Sequence, residues 1–199
     1  LEFRRVLFRS VGKSTFLSLI QKQEPKITCT LEPIDNWATQ QYGKSLLDQF
    51  YRNPKRWAYT IETLAMICRS RDHVNIQEQH PHNLVERSIY SGHYCFALNG
   101  HTDGYFSQME WDLYSQWVDF LFNEKCKLPH GFIYLKADPE VCFERTKIRN
   151  RSDESALTLG YLEKINNYHD KFLMHKELDH ARLKDVPVLV LDCNKEFAN

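Results

Sequence analysis

Apolar positions along this chain fall into two kinds of pattern. Short runs rich in β-formers occur at Ile27 to Leu31, Asn83 to Glu86, Gly131 to Lys136 and Pro187 to Asp192. Each is too short for a helix and predicts a strand. Between them lie helical stretches at Ser14 to Gln21, Gly43 to Tyr51, Pro54 to Arg71, Ser91 to Asn99, Ser107 to Glu124, Pro139 to Arg149 and Thr158 to His180. Asn75 to His82 carries no period and reads as a surface loop. Strands alternating with helices predict an α/β fold, a parallel sheet covered by helices on both faces.

The first helical stretch opens on Val11-Gly12-Lys13-Ser14-Thr15, the second half of a G-x-x-x-x-G-K-[ST] phosphate-binding loop. In an intact loop, backbone N–H groups wrap the β-phosphate, the lysine bridges phosphates and the hydroxyl holds Mg²⁺, roles that fall here to Lys13 and Ser14. Leu7 stands where the first glycine belongs, and a leucine resists the positive φ of that turn. Leu1 to Ser10 mixes Arg4, Arg5 and Arg9 with apolar residues. It reads either as a divergent loop or as a non-native stretch from cloning or sequence assembly, with the native part starting near Val11. The strand before the loop has Val6 to Phe8 as its sole candidate, so it is expected to be improvised or missing. The covering helix after the last strand is also expected to be cut short. This leaves one domain over 11–199, trimmed at its C-terminal end.

The 199 residues are 42% hydrophobic, enough for one core. No window approaches the apolar length of a membrane span. With 26 basic against 26 acidic residues, the chain lacks the basic field of a nucleic-acid or membrane-surface protein, so small molecules and protein are the expected partners. Six scattered cysteines without a C-x-x-C read as reduced thiols of an intracellular protein.

Ligands of parallel sheets sit beyond the carboxyl ends of the strands. Two predicted strands end in acidic residues, Leu31-Glu32-Pro33 and Val85-Glu86-Arg87. Glu32 suits a general base for an attacking hydroxyl, Glu86 an Mg²⁺ ligand, and Arg87 a group that orients the base or neutralises phosphate. Arg145, Arg149 and Arg151 cluster within a helix-to-loop stretch, the first two one turn apart. They suit a lid near 145–155 that stabilises charge spreading over a transferred phosphoryl group.

Gly-Lys-Ser-Thr at 12–15, Leu-Glu-Pro-x-x-x-Trp at 31–37, Phe-Tyr-Arg-Asn-Pro-Lys-Arg-Trp at 50–57, Glu-Arg-Ser-Ile-Tyr-Ser at 86–91 and Arg-x-x-x-Arg-x-Arg at 145–151 together resemble the deoxyribonucleoside kinase family. His130 to Leu135 and Val186 to Asp192 look closest to its deoxyguanosine and deoxycytidine kinase branch. The resemblance implies a P-loop kinase fold with a five-stranded parallel sheet, and ATP-dependent phosphorylation of a deoxyribonucleoside 5′-hydroxyl. It implies ATP and Mg²⁺ at Gly12, Lys13, Ser14 and Thr15, with Phe197 beside the adenine. Tyr51 and Glu154 correspond to residues that bind the sugar 3′-hydroxyl, and Trp37 and Phe96 to walls around the base. It also implies a homodimer through helices such as Ser91 to Asn99 and Ser107 to Glu124, in the mitochondrion or the cytosol. A thymidylate-type monophosphate kinase and an inactive nucleotide-binding fragment are the alternatives.

The chain departs from the family at the base. Ile61-Glu62 stands where most members have a Phe-Gln pair, and Ser91-Gly92-His93-Tyr94 replaces Ser-Asp-Arg-Tyr. Ala65 and Arg69 resemble the deoxycytidine and deoxyguanosine kinases, Gly92 the thymidine-accepting members. An ionised Glu62 offers acceptors only, which match the adjacent N1–H and N2–H donors of guanine and oppose acceptors on thymine and cytosine. Glu62 instead turned toward Arg69 is the competing arrangement. If Glu62 reads the base, Glu62→Gln changes the ratios of kcat/KM across the four deoxynucleosides; unchanged ratios would sink the idea.

Overall fold

A computed structural model describes residues 2–7, 11–32, 45–79, 82–149 and 157–195, with backbone alone for 2–7, 79 and 149. Its strands are β1 (Glu2–Leu7), β2 (Thr28–Thr30), β3 (Asn83–Glu86), β4 (Gly131–Lys136) and β5 (Val188–Asp192). All neighbours pair in parallel, in the order β2-β3-β1-β4-β5. Parallel neighbours need long crossovers, and helices supply them. Every residue of β3 is buried, while β5 at the edge exposes Leu189 and Val190.

β1 is registered against β3 from Glu2↔Asn83 and against β4 from Phe3↔Gly131. The strand before the loop, expected to be improvised from Val6 to Phe8 or missing, is present over Glu2–Leu7, and Leu7 is its last residue rather than a turn position.

The helices are α1 (Lys13–Gln23), α2 (Leu46–Arg52) and α3 (Pro54–Gln79). Then comes α4, which starts as Ile89–Ser91, widens into a π-helical segment at Gly92–Ala97 and resumes as Leu98–Thr102. α5 (Gln108–Phe120) likewise ends in a π-helical segment, Leu121–Lys125. α6 (Pro139–Arg149), α7 (Leu159–Leu173) and the short α8 (Ala181–Lys184) follow.

Local chemistry fixes several starts. Ser107 and Glu110 form a reciprocal capping box at α5, and Ser88 and Ser91 do the same at α4.

Three sequence expectations change. α3 runs on through Gln79 where a loop was expected from Asn75, because its last turns are pinned from outside. Ile76 is buried, and the Gln77 amide donates to the Lys125 carbonyl at 2.9 Å and accepts from Lys127 N–H at 2.9 Å. α7 stops at Leu173 instead of His180, because Lys176 takes a φ of 56° and its ammonium donates to the Val186 carbonyl. The Gly92–Ala97 segment lies wholly in the core, so this part of the Ser91 to Asn99 helix does not offer the expected dimer surface.

The core is aromatic. Tyr90 packs on Phe122 at 4.5 Å between centroids, Phe132 on Phe172 at 5.4 Å, and Phe172 stacks on Tyr94 at 5.0 Å. His93 joins this layer, nearly parallel to Trp111 at 5.6 Å and to Tyr114 at 6.0 Å. All six cysteines are free thiols.

Burial pushes His93 down to about 4 and His169 to about 3, against the partial opposition of Asp179 for the first and the Ile165 carbonyl for the second. Below their ordinary 6.5 the unfolded chain takes up protons that the folded chain refuses. Stability from the two neutral rings is complete above that value and is lost as pH falls toward their folded values. Each histidine contributes a slope of up to about 1.4 kcal/mol per pH unit there. The urea midpoint of the protein is expected to fall between pH 6.5 and 4, and to fall less in His93→Phe, which keeps the stacked ring without the titration. An equal slope in both proteins would refute it.

Candidate active site

The carboxyl ends of β1, β2 and β3 bring the sequence-predicted charges together. After β1, Gly12 takes a φ of 95° and caps α1 without a side-chain hydrogen bond. With no acidic residue in its first turn, α1 presents the positive end of its dipole, a site that favours an anion. Ser14 and Thr15 are exposed there.

Two residues after β2, Glu32 is buried, its side chain 1% exposed. Arg69 of α3 donates to Glu32 Oε1 through Nε at 3.1 Å and Nη2 at 2.6 Å. From the other side, Arg87 Nη1 stands 3.0 Å from Oε2 and 3.3 Å from Oε1. Arg87 follows β3 directly and adopts a φ of 57°, a left-handed conformation that costs an arginine energy. The kink accompanies a guanidinium seated between Glu32 and the Phe96 ring, 4.6 Å from its centroid.

Burial alone would raise the Glu32 carboxyl, but Arg87, Arg69 and Lys13 outweigh it and hold it at about 2. It is therefore ionised throughout the physiological range. The same balance acts on Arg69, where burial is outweighed by Glu32 and then Glu62, which raise it.

Glu86 closes β3. Its Oε2 accepts the Glu32 backbone N–H at 3.4 Å, and Oε1 lies 3.6 Å from Lys13 Nζ. A buried carboxylate beside the loop lysine, with the Ser14 hydroxyl on the adjoining helix end, is a hard-oxygen set of the kind Mg²⁺ takes with phosphates.

The residues expected on the base side lie on α2, α3 and α4. Glu62 and Arg69 are two turns apart on α3, and the Glu62 charge reaches both Arg69 and Tyr114. Tyr51 of α2 packs against the cluster of Leu47, Ile61, Ala65 and Cys68. Phe96 meets the ring edge of His169 at 5.9 Å, and His169 in turn stacks on Tyr134.

Arg145 donates from Nη1 to the Cys193 carbonyl at 2.8 Å and from Nη2 to the Asn194 carbonyl at 3.2 Å. In this arrangement it braces the chain leaving β5. Arg149 ends α6, and its side chain lies outside the described residues, as do Trp37, Arg151, Glu154 and Phe197.

Two further neighbours of the site, His169 and Tyr114, and one contact escaped sequence reasoning. His169 lies on the apolar stripe of α7 with Leu162, Ile165 and Phe172, where the helical period signals core and nothing signals a neighbour of Arg87. Tyr114 is likewise a core position of α5, and the contact between Gly92 and Arg69 comes from packing alone.

A family model described as deoxynucleoside kinase matches residues 9–199. The chain is 34% identical to deoxycytidine kinase 2 of Gallus gallus, over 96% of this chain and 81% of that protein. It is 36% identical to the mitochondrial deoxyguanosine kinase of Xenopus laevis, over 96% and 80%. Against the deoxycytidine kinase of Homo sapiens the identity is 31%, over 94% and 82%. A loop lysine, a doubly clamped glutamate and a kinked arginine at three strand ends, in a chain matched along nearly its whole length, place it in the deoxynucleoside kinase family.

Proposed function

We propose that this enzyme transfers the γ-phosphoryl group of ATP to the 5′-hydroxyl of a deoxyribonucleoside, with Glu32 as the acceptor of the hydroxyl proton. The observation that carries this reading is the asymmetry of contacts on Glu32. Among the described residues, Oε1 takes three guanidinium contacts and Oε2 one. A carboxylate has about four lone-pair sites, so Oε2 keeps acceptor capacity for a hydroxyl.

A base held at about 2 is weak. It fits a loose phosphoryl transfer, in which the hydroxyl becomes acidic only as it meets the departing γ-phosphoryl group. Until then the ionised carboxylate orients the hydroxyl for attack. It also disfavours a phosphate at the acceptor position, which separates a nucleoside acceptor from a monophosphate.

Lys13 and the N–H groups of α1 hold the donor phosphates. Mg²⁺, held by Ser14 and Glu86, would offset phosphate charge. Arg87 neutralises charge near the transferred group, and Arg145, Arg149 and Arg151 form the lid. For Arg145 this requires leaving its contacts with the Cys193 and Asn194 carbonyls. Trp37 and Phe96 wall the base, and Tyr51 and Glu154 bind the 3′-hydroxyl. Glu62, as an acceptor-only group, tilts the base preference toward guanine.

A homodimer fits the exposed apolar residues Met109, Leu113 and Trp117 of α5 and Ile67 of α3, of which Ile67 and Trp117 line an apolar groove of about 470 Å³. Among the described residues, no helix is long and apolar enough to cross a membrane.

Glu32→Gln keeps the shape of the side chain and removes its proton affinity. It is expected to lower kcat by roughly 10²–10⁴ with nucleoside binding mostly retained. Steady-state kinetics with calorimetric binding distinguish this from near-normal turnover, which would assign the proton to another group.

A further inference from the structure

A cleft of about 640 Å³ opens between α5, the π-helical part of α4 and the turn that leads into α8. None of the residues lining it has a part in the phosphoryl transfer proposed above. Its polar wall consists mostly of acceptors. Asp119 of α5 lines it with a carboxylate that has no hydrogen-bond or ion-pair partner among the described residues. Four residues on, Asn123 commits an amide N–H to the Asp119 carbonyl at 2.9 Å, which leaves its side-chain oxygen as a further acceptor. Asp179, from the turn before α8, accepts the Tyr94 hydroxyl. Burial alone would raise the Asp179 carboxyl, but that bond outweighs it and holds the group below its ordinary value. The two carboxylates share a neighbourhood: burial and the bond with Asp179 raise the Tyr94 hydroxyl above its usual value, and the Asp119 charge raises it further.

A buried group completes the wall. His93 lines the cleft, is 7% exposed, and its Nδ1 meets no hydrogen-bond partner among the described residues. A buried nitrogen left in that state is destabilising until a donor or acceptor meets it. The ring is neutral at physiological pH, so one of its nitrogens can accept.

These groups select the ligand. Asp119 and Asp179 against the single guanidinium of Arg182 give the lining a negative balance, which disfavours an anion. Among the described residues, no group of three or more His, Cys, Asp or Glu could hold a metal ion. A cation that brings its own N–H donors fits both facts, and Val118 and Phe122 give its carbon stem an apolar wall. We propose that this cleft is a second small-molecule site, for an organic cation of the ammonium or guanidinium class whose N–H groups meet Asp119, Asp179 and the ring of His93. Charge-assisted hydrogen bonds supply the attraction.

The test titrates n-butylguanidinium and n-butylammonium separately into the full chain at low salt, with tetramethylammonium as a cation without N–H donors, and reads Kd by calorimetry. At least one of the first two is expected to bind saturably, about 10-fold or more tighter than tetramethylammonium, and the pair shows which head group the cleft prefers. Asp119→Asn and His93→Phe are each expected to weaken that binding about 5-fold. Arg182→Ala, at an exposed position, is expected to tighten it about 3-fold and replaces His93→Phe should that variant fail to fold. No saturation by either probe, equal affinity for tetramethylammonium, or an affinity unchanged by the cleft substitutions overturns the proposal.

Discussion

The Glu32 carboxylate is held away from water, and two guanidinium groups make that position tenable. Moving such a charge out of water costs several kcal/mol even after relaxation. Arg69 and Arg87 offset it with four short contacts that come from different elements, one from the middle of α3 and one from the turn after β3. The arrangement therefore ties α3 to two strand ends at once. Removing the Glu32 carboxylate would leave two buried guanidinium groups without their shared partner, a defect of about 3–5 kcal/mol. The cluster is thus as much a constraint on the fold as a feature of the site.

Part of the strained and unusual backbone gathers around this cluster. Arg87 is left-handed, Gly12 turns the chain into α1, and the π-helical segment Gly92–Ala97 lies against α3. A π-helical segment adds a residue to the turn and rotates the side chains that follow it. Here it accompanies a bare Gly92 beside Arg69 and a Phe96 ring under Arg87. The aromatic layer of Tyr90, Tyr94, Phe122, Phe132 and Phe172 packs around the same helix, so that core and site share one scaffold.

Much of this was legible in the sequence because parallel strands and their ends leave plain marks. Asn83–Glu86 and Gly131–Lys136 match the expected strands residue for residue, and the charged residues that follow the strands do converge. What local pattern does not carry is contact between distant segments. α3 outlasts its apolar period because Gln77 grips the backbone at 125 and 127, fifty residues on. The pairing of Arg69 with Glu32, 37 residues away in sequence, is also a matter of three-dimensional placement. His169 and Tyr114 read as core residues by their period, and they are core residues that also border the site.

Product identity tests the central claim most directly. With γ-labelled ATP and Mg²⁺, each of the four deoxynucleosides and each corresponding 5′-monophosphate is offered as acceptor, and the products are identified by ³¹P NMR. The carboxylate at the acceptor position leads to a 5′-monophosphate from at least one deoxynucleoside and no transfer to the monophosphates. Diphosphate formed from a monophosphate, with the deoxynucleosides left untouched, would contradict the assignment of Glu32 and the function built on it.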